Sequence, residues 1–257
     1  MGNVFLIGAG PGDPDLLTIK ALRLLQRADV VLHDGLVSQA ILDLVRPEAL
    51  RVDIGKRCGC KLMTQAEINT LLIDYASKTD TVVRLKGGDP LVFGRAGEEI
   101  DALIEAGVQF EIVPGITTAL AAAAAVKRSL TDRRVTSSVV LVTAHRGSED
   151  EAVEWDHVVT SGSTLAIYMP GTHYAALASN LITAGLDMNT PCAVVSRATL
   201  ADQRVLITTI GQLRDHDVLP APAHVLVGRC LNPAEHINLI QPAFSGLASK
   251  SIQRSTE

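Results

Sequence analysis

Aromatic residues make up only 3% of this 257-residue chain, which argues against the stacking platforms that bind single-stranded nucleic acid. Long basic runs are also missing and the net charge is −5, so the electrostatic footprint of a nucleic-acid binder is absent. The most apolar stretch, ITTALAAAAAV at 116–126, is too short to span a bilayer and runs into Lys127 and Arg128. Cysteine is sparse. Cys58 and Cys60 form a lone C-x-C, Cys192 and Cys230 stand apart, and no second cluster supplies zinc spacing, so reduced thiols and no metal are expected. With an apolar run already under way at Val4, the expectation is a cytoplasmic protein with no signal peptide, binding neither nucleic acid nor membrane.

What the chain has is α/β rhythm. NVFLIGAG reads as a buried strand, and LLTIKALRLLQRA puts Leu17, Ala21, Leu24, Leu25 and Ala28 on one helical face. Strands follow at ADVVLHD, LRVDIG, TVVRLKGGD and QFEIVPG, with helices SQAILDLV, QAEINTLLIDYASK (capped by Thr64) and GEEIDALIEAG between them. Helices of this length between strands imply a mostly parallel sheet covered on both faces. An alanine-rich helix from Thr117 breaks the rhythm, and a second series starts at SSVVLVTAH. Two α/β domains are therefore expected, 1–116 with a mostly parallel sheet and 117–243 with a mixed one, followed by a polar tail at 244–257. A ligand cleft is expected between them.

Three glycine turns end strands: GAGPGDP (8–14), KGGDP (86–90) and VPGITT (113–118). The first resembles a dinucleotide loop but carries Asp13 where the third glycine belongs, and Pro11 removes an amide that would face a diphosphate. In the second, Gly87 and Gly88 allow close backbone approach, and Pro90 biases Asp89 toward extended geometry. Converging at the carboxyl ends of parallel strands, such turns suit a cation such as a sulfonium better than a phosphate. Taken singly, the polar residues have plain structural explanations. Glu98 and Glu99 favour a helix first turn, with Arg95 and Glu99 spaced for an i,i+4 pair. Asp34 is a strand-end carboxylate, Lys56 and Arg57 a solvated pair, Met169 core filler and His145 a loop residue.

Together these segments resemble the tetrapyrrole methylases: GAGPGDPDLLTIKALRLLQRADVV, GKR-C-G, Q-x-EIN and VVRLKGGDP-x-VFGR-x-GEE, then VPGIT, in the family's order over roughly residues 3–240. The resemblance implies an S-adenosyl-methionine-dependent C-methyltransferase, a homodimer with cofactor in the interdomain cleft. The implied reaction methylates uroporphyrinogen III at carbons 2 and 7 to precorrin-2, for sirohaem or cobalamin. It implies cofactor contacts from Pro11, Gly87, Gly88, Asp89, Val92, Thr117, Thr118, Met169 and Ala198. Asp34 and Lys56 match positions for proton transfer or substrate binding, and Arg95 and Glu98 match positions at the substrate. The methylated pyrrole must lose a proton, for which Asp34 is one candidate base; Arg95, always charged, suits a propionate anchor. Lys56, Arg57, Lys61, Arg84, Lys86, Arg95, Arg128, Arg133 and Arg134 are the cations available to the polycarboxylate substrate. Departures from the family pattern collect on the substrate side, at Gly35, Cys60, the segment from Lys127 to Arg134, and Pro170. They leave room for a related precorrin methylase or a non-catalytic tetrapyrrole binder.

Overall fold

The computed structural model describes residues 1–55, 63–144, 153–159 and 162–232. Its first half alternates β1 (Asn3–Gly8), α1 (Ile19–Leu25), β2 (Val30–His33), α2 (Gln39–Leu42), β3 (Leu50–Asp53), α3 (Gln65–Lys78), β4 (Thr81–Lys86), α4 (Ala96–Glu105) and β5 (Phe110–Val113). The five strands form one wholly parallel sheet in the order β3-β2-β4-β1-β5. Because β4 inserts between β2 and β1 and β5 pairs the far side of β1, the carboxyl ends of β4, β1 and β5 are neighbours.

Both faces are covered, which is why these strands read as nearly continuous apolar runs. Ile7, Val31, Val83 and Leu85 pack with Ala21, Leu25 and Ile41 of α1 and α2. Val4, Leu6, Val30, Leu32 and Val82 pack with Ile68, Leu72 and Leu103 of α3 and α4. The expected stripe on α1 holds: Ala21, Leu25 and Ala28 are fully buried, with Leu17 and Leu24 packed against them. Local caps set two helix starts. Thr18 accepts a bond from the Ala21 amide, and Thr64 with Glu67 closes a reciprocal capping box on α3.

The second half runs α5 (Thr118–Ala125), β6 (Val139–Thr143), α6 (Trp155–Val158), β7 (Thr164–Tyr168), α7 (Tyr174–Thr183), β8 (Pro191–Ser196), β9 (Arg204–Thr209), α8 (Ile210–Leu213) and β10 (Ala223–Val227). Its sheet, ordered β6-β7-β10-β8-β9, is mixed: β6 and β7 are parallel and the other pairs antiparallel. Ala119 and Ala122 of α5 pack on Ala166, Ala193, Val195 and Leu226, so small side chains bring this helix close to the sheet. α7 and α8 cover the opposite face through Leu177, Leu181, Ile210 and Leu213. Two α/β domains, one parallel and one mixed, match the expected fold class. Among the described residues no helix is long and apolar enough to cross a membrane. The expected tail lies outside the described residues.

Candidate active site

The three glycine turns meet. Gly10 and Gly88 exchange backbone hydrogen bonds, Gly10 N to Gly88 O at 3.1 Å and Gly88 N to Gly10 O at 2.8 Å, and Ala9 N donates to Lys86 O at 2.7 Å. At Gly8 an added Cβ would stand 2.6 Å from Gly115 Cα and from Gly88 O, so β1, the β4 turn and the β5 turn touch backbone to backbone. Asp89 staples the second turn to the third. Its Oδ2 accepts from Gly115 N at 2.9 Å while Oδ1 accepts from Leu91 N at 2.8 Å. Both oxygens of this expected cofactor residue are thus committed to amides, and the carboxylate shapes the turns as well as charging them. Gly87, by contrast, is half-buried, and a Cβ there would meet only Leu36 Cβ at 3.4 Å, so its turn presents bare backbone.

The second domain closes on these turns. Thr199 Oγ1 accepts from Asp13 N at 3.1 Å, and Gly12 packs against Leu200. Thr117 Oγ1 and Tyr168 OH lie 2.6 Å apart, and Thr118 Oγ1 sits 2.6 Å from His224 Nε2. Tyr168 also packs edge-on to His224 and against Phe93 from the loop after β4, with ring centroids 4.6 and 4.8 Å away. Burial pushes His224 down to about 4, so its ring is neutral near pH 7. Backbone strain collects here as well. Of six non-glycine residues with positive φ among the described residues, five (Phe93, Arg95, Met169, Arg197 and Thr199) lie on the loops after β4, β7 and β8. Such strain persists where the surroundings over-determine it, and it clusters at functional sites. Met169 is 47% exposed, not the core filler that composition suggests. Ala198, between two strained neighbours, is buried, Val92 packs against the α5 core, and Pro11 is half-buried in the first turn.

Beside the turns lies a cluster of four charges. Arg84 of β4 donates from Nη2 to Asp34 Oδ1 at 2.6 Å and from Nε to Glu99 Oε1 at 2.9 Å. Lys86 Nζ reaches the same Glu99 oxygen at 2.8 Å. Burial, then the neighbouring Arg84 charge, pulls the Lys86 ammonium below the ordinary lysine range, against the opposing pull of Glu99. Here the sequence-based expectation needs correction. Glu99 is not a surface partner of Arg95 but a fully buried member of this cluster, because α4 turns it toward the sheet. Arg95 instead forks onto its exposed neighbour Glu98, Nε to Oε1 and Nη2 to Oε2, both at 2.7 Å. Nor are all the expected substrate cations free: Arg84 and Lys86 are buried against Glu99, and Arg134 pairs with Asp132. Sequence reasoning missed this cluster; the signal that could have found it is charge at alternate positions, Arg84 and Lys86, of the otherwise apolar β4.

Asp34 is the open end of this cluster, lining a cavity of about 410 Å³ with His33, Gly35, Val37, Gln39, Leu42, Arg51 and Asp53. A larger cavity of about 510 Å³, among Val159, Gly185, Asn189 and Gly228, shares no residue with the turns or the loops facing them. Lys56, Arg57, Cys58, Cys60, Lys61 and His145 lie outside the described residues. Cys192, fully buried with its thiol pushed up to about 12, is a packing residue. Among the described residues no three His, Cys, Asp or Glu side chains gather to hold an ion.

Known proteins resemble this chain over most of its length. Residues 3–214 match the family model of the Tetrapyrrole (Corrin/Porphyrin) Methylases. The chain is 48% identical over 231 residues to siroheme synthase 1 of Cronobacter sakazakii, covering 88% of this chain and 48% of that protein. Siroheme synthase of Hahella chejuensis is 46% identical over 230 residues, 88% of this chain and 49% of that one, so the chain spans about half the length of these curated relatives. Among solved structures, uroporphyrin-III C-methyl transferase from Thermus thermophilus, complexed with S-adenyl homocysteine, superposes with a TM-score of 0.78 at 35% identity, covering 90% of this chain and 93% of that one. A cobalt precorrin-4 methyltransferase of cobalamin biosynthesis gives 0.77 at 34%, covering 90% and 96%. With its three stapled glycine turns and this breadth of likeness, the chain belongs to the tetrapyrrole (corrin/porphyrin) methylases.

Proposed function

We propose that this chain is an S-adenosyl-methionine-dependent C-methyltransferase that converts uroporphyrinogen III to precorrin-2 by methylation at carbons 2 and 7, serving sirohaem or cobalamin formation. The observation that carries the reading is the meeting of three glycine turns opposite the strained loops at Met169 and Arg197–Thr199. The two folds just compared are almost equally similar in shape, so the choice of substrate leans on the siroheme synthases at 44 to 48% identity.

The residues present fit the cofactor. Gly87 and Gly88 offer backbone without side chain, Asp89 supplies negative charge beside them, and Thr117 and Thr118 lie next to Gly88; Met169 and Ala198 of the second domain, with Pro11 and Val92, complete the proposed set. When bound, S-adenosyl-methionine supplies an activated methyl group on a sulfonium. The chain's own part is to hold the acceptor carbon in line with that group and to take the proton lost afterwards. Asp34 takes it: it lines a cavity, its side chain is 32% exposed, and Arg84 holds its carboxylate. Arg95, with its side chain 61% exposed and anchored by Glu98, meets a substrate carboxylate. Lys56, outside the described residues, is proposed as a further substrate contact on the family resemblance alone. The chain divides at 116/117, works as a homodimer and resides in the cytoplasm. Incubation with uroporphyrinogen III and S-adenosyl-methionine should yield a product heavier by two CH2 units, since each methyl group gained replaces a proton lost. Turnover of a later precorrin but not of uroporphyrinogen III would reassign the substrate, and no turnover of either would leave a binding protein.

A further inference from the structure

We propose that Glu99 is a positioning residue for methyl transfer: through Arg84 it fixes the carboxylate of Asp34. The inference rests on the reading of Asp34 as proton acceptor and adds what holds it in place.

Sheet register brings the group together. Leu32 of β2 pairs with Arg84 of β4, and Asp34 and Lys86 each lie two residues further on, so all three side chains belong to the face covered by α3 and α4. Glu99 enters that face from the first turn of α4, whose start is tied to α3 by Asn69 Nδ2 donating to Glu98 O at 3.0 Å. Each nitrogen of the Arg84 guanidinium then has a partner. Nε goes to Glu99, Nη1 to Leu85 O at 3.2 Å and Nη2 to Asp34, so the bond to Glu99 sets the plane in which Nη2 meets Asp34. Side-chain exposure runs from 0% at Glu99 and 3% at Arg84 to 32% at Asp34. The closed end of the chain of contacts is Glu99 and its open end is the candidate base.

Stability alone is a poor reason for this arrangement. Buried ion pairs lose in desolvation much of what they gain in attraction, and apolar replacements of equal volume often serve as well. Glu99 is also served unevenly. Oε1 takes Arg84, Lys86 and, at 3.3 Å, Gln65, while the buried Oε2 has no partner among the described residues. A carboxylate placed only to tie α4 to β4 would share its donors between both oxygens. This one is aimed so that a single oxygen grips the two cations of β4. Lys86 balances the charge, two cations against two carboxylates, so Arg84 keeps its full pull on Asp34.

A double-mutant cycle on the full chain tests the inference. Glu99→Gln should lower kcat for uroporphyrinogen III about tenfold while KM and the affinity for S-adenosyl-homocysteine stay within about threefold. In an Asp34→Asn background the same substitution should cost nothing further, because its effect passes through Asp34. Arg84→Lys, which keeps the cation but cannot span both carboxylates, should behave alike and serves in the cycle should Glu99→Gln fail to fold. Wild-type kcat for Glu99→Gln, an undiminished tenfold loss in the Asp34→Asn background, or loss of S-adenosyl-homocysteine binding together with stability would each overturn the inference. An Asp34→Asn variant with wild-type kcat would instead sink the proton-acceptor reading itself.

Discussion

Replacing Gly8 by alanine probes the junction of the three turns with a single methyl group. Gly8 does not adopt positive φ, so its backbone tolerates alanine and only space is at issue. The new Cβ would lie 2.6 Å from Gly115 N, Gly115 Cα and Gly88 O, whereas ordinary contact begins at 3.4 Å. The neighbours must therefore retreat by about 0.8 Å, and they are backbone, not the ends of flexible side chains. That movement strains the 2.8 Å bond from Gly88 N to Gly10 O and the 2.9 Å bond from Gly115 N to Asp89 Oδ2. Overpacking of this kind costs roughly 1–3 kcal/mol, read as a lower urea midpoint at unchanged m. Calorimetry with S-adenosyl-homocysteine should show about a tenfold weaker complex, since the displaced backbone is the proposed cradle. Gly97→Ala is the control: it lies in α4 with nothing within 4 Å of a new Cβ, so it should stabilise by about 0.5–1 kcal/mol. Wild-type stability and affinity in Gly8→Ala would refute the idea that close backbone contact builds the site.

Asp89→Ala strips acceptors from two amides and should cost about 1–3 kcal/mol together with cofactor affinity, measured by urea titration and calorimetry. Arg95→Ala should leave S-adenosyl-homocysteine binding within twofold and raise KM for the tetrapyrrole about tenfold, since its ion pair with Glu98 is exposed; the reverse split would exchange the two roles. His224 gives a pH test. Its folded pKa, about 4, is depressed from 6.5, so the unfolded chain binds the extra proton and stability fully present above pH 6.5 is lost as pH falls toward 4. Between pH 7 and 5 the wild type should lose about 2 kcal/mol more than His224→Gln in urea unfolding, and equal losses would count against a neutral buried ring.

Sequence by itself determined what depends on near neighbours. The apolar period of α1, the Thr64 cap of α3 and the apolar strands ended by glycines were legible because each element's local pattern agrees with its final burial. The glycine turns were legible as close approaches, since only glycine allows them, and their order along the chain carried the family resemblance. Only the tertiary structure decided which charges are buried. Glu98 and Glu99 are adjacent and chemically alike, yet one is exposed with Arg95 and the other has no exposed surface, a difference made by which face of α4 is turned inward. Asp34 meets Arg84 across fifty positions of chain through the register of β2 with β4, and Asp89 meets Gly115 through the order β4-β1-β5. Register and strand order are collective properties of the whole packed sheet, so no window of sequence contains them.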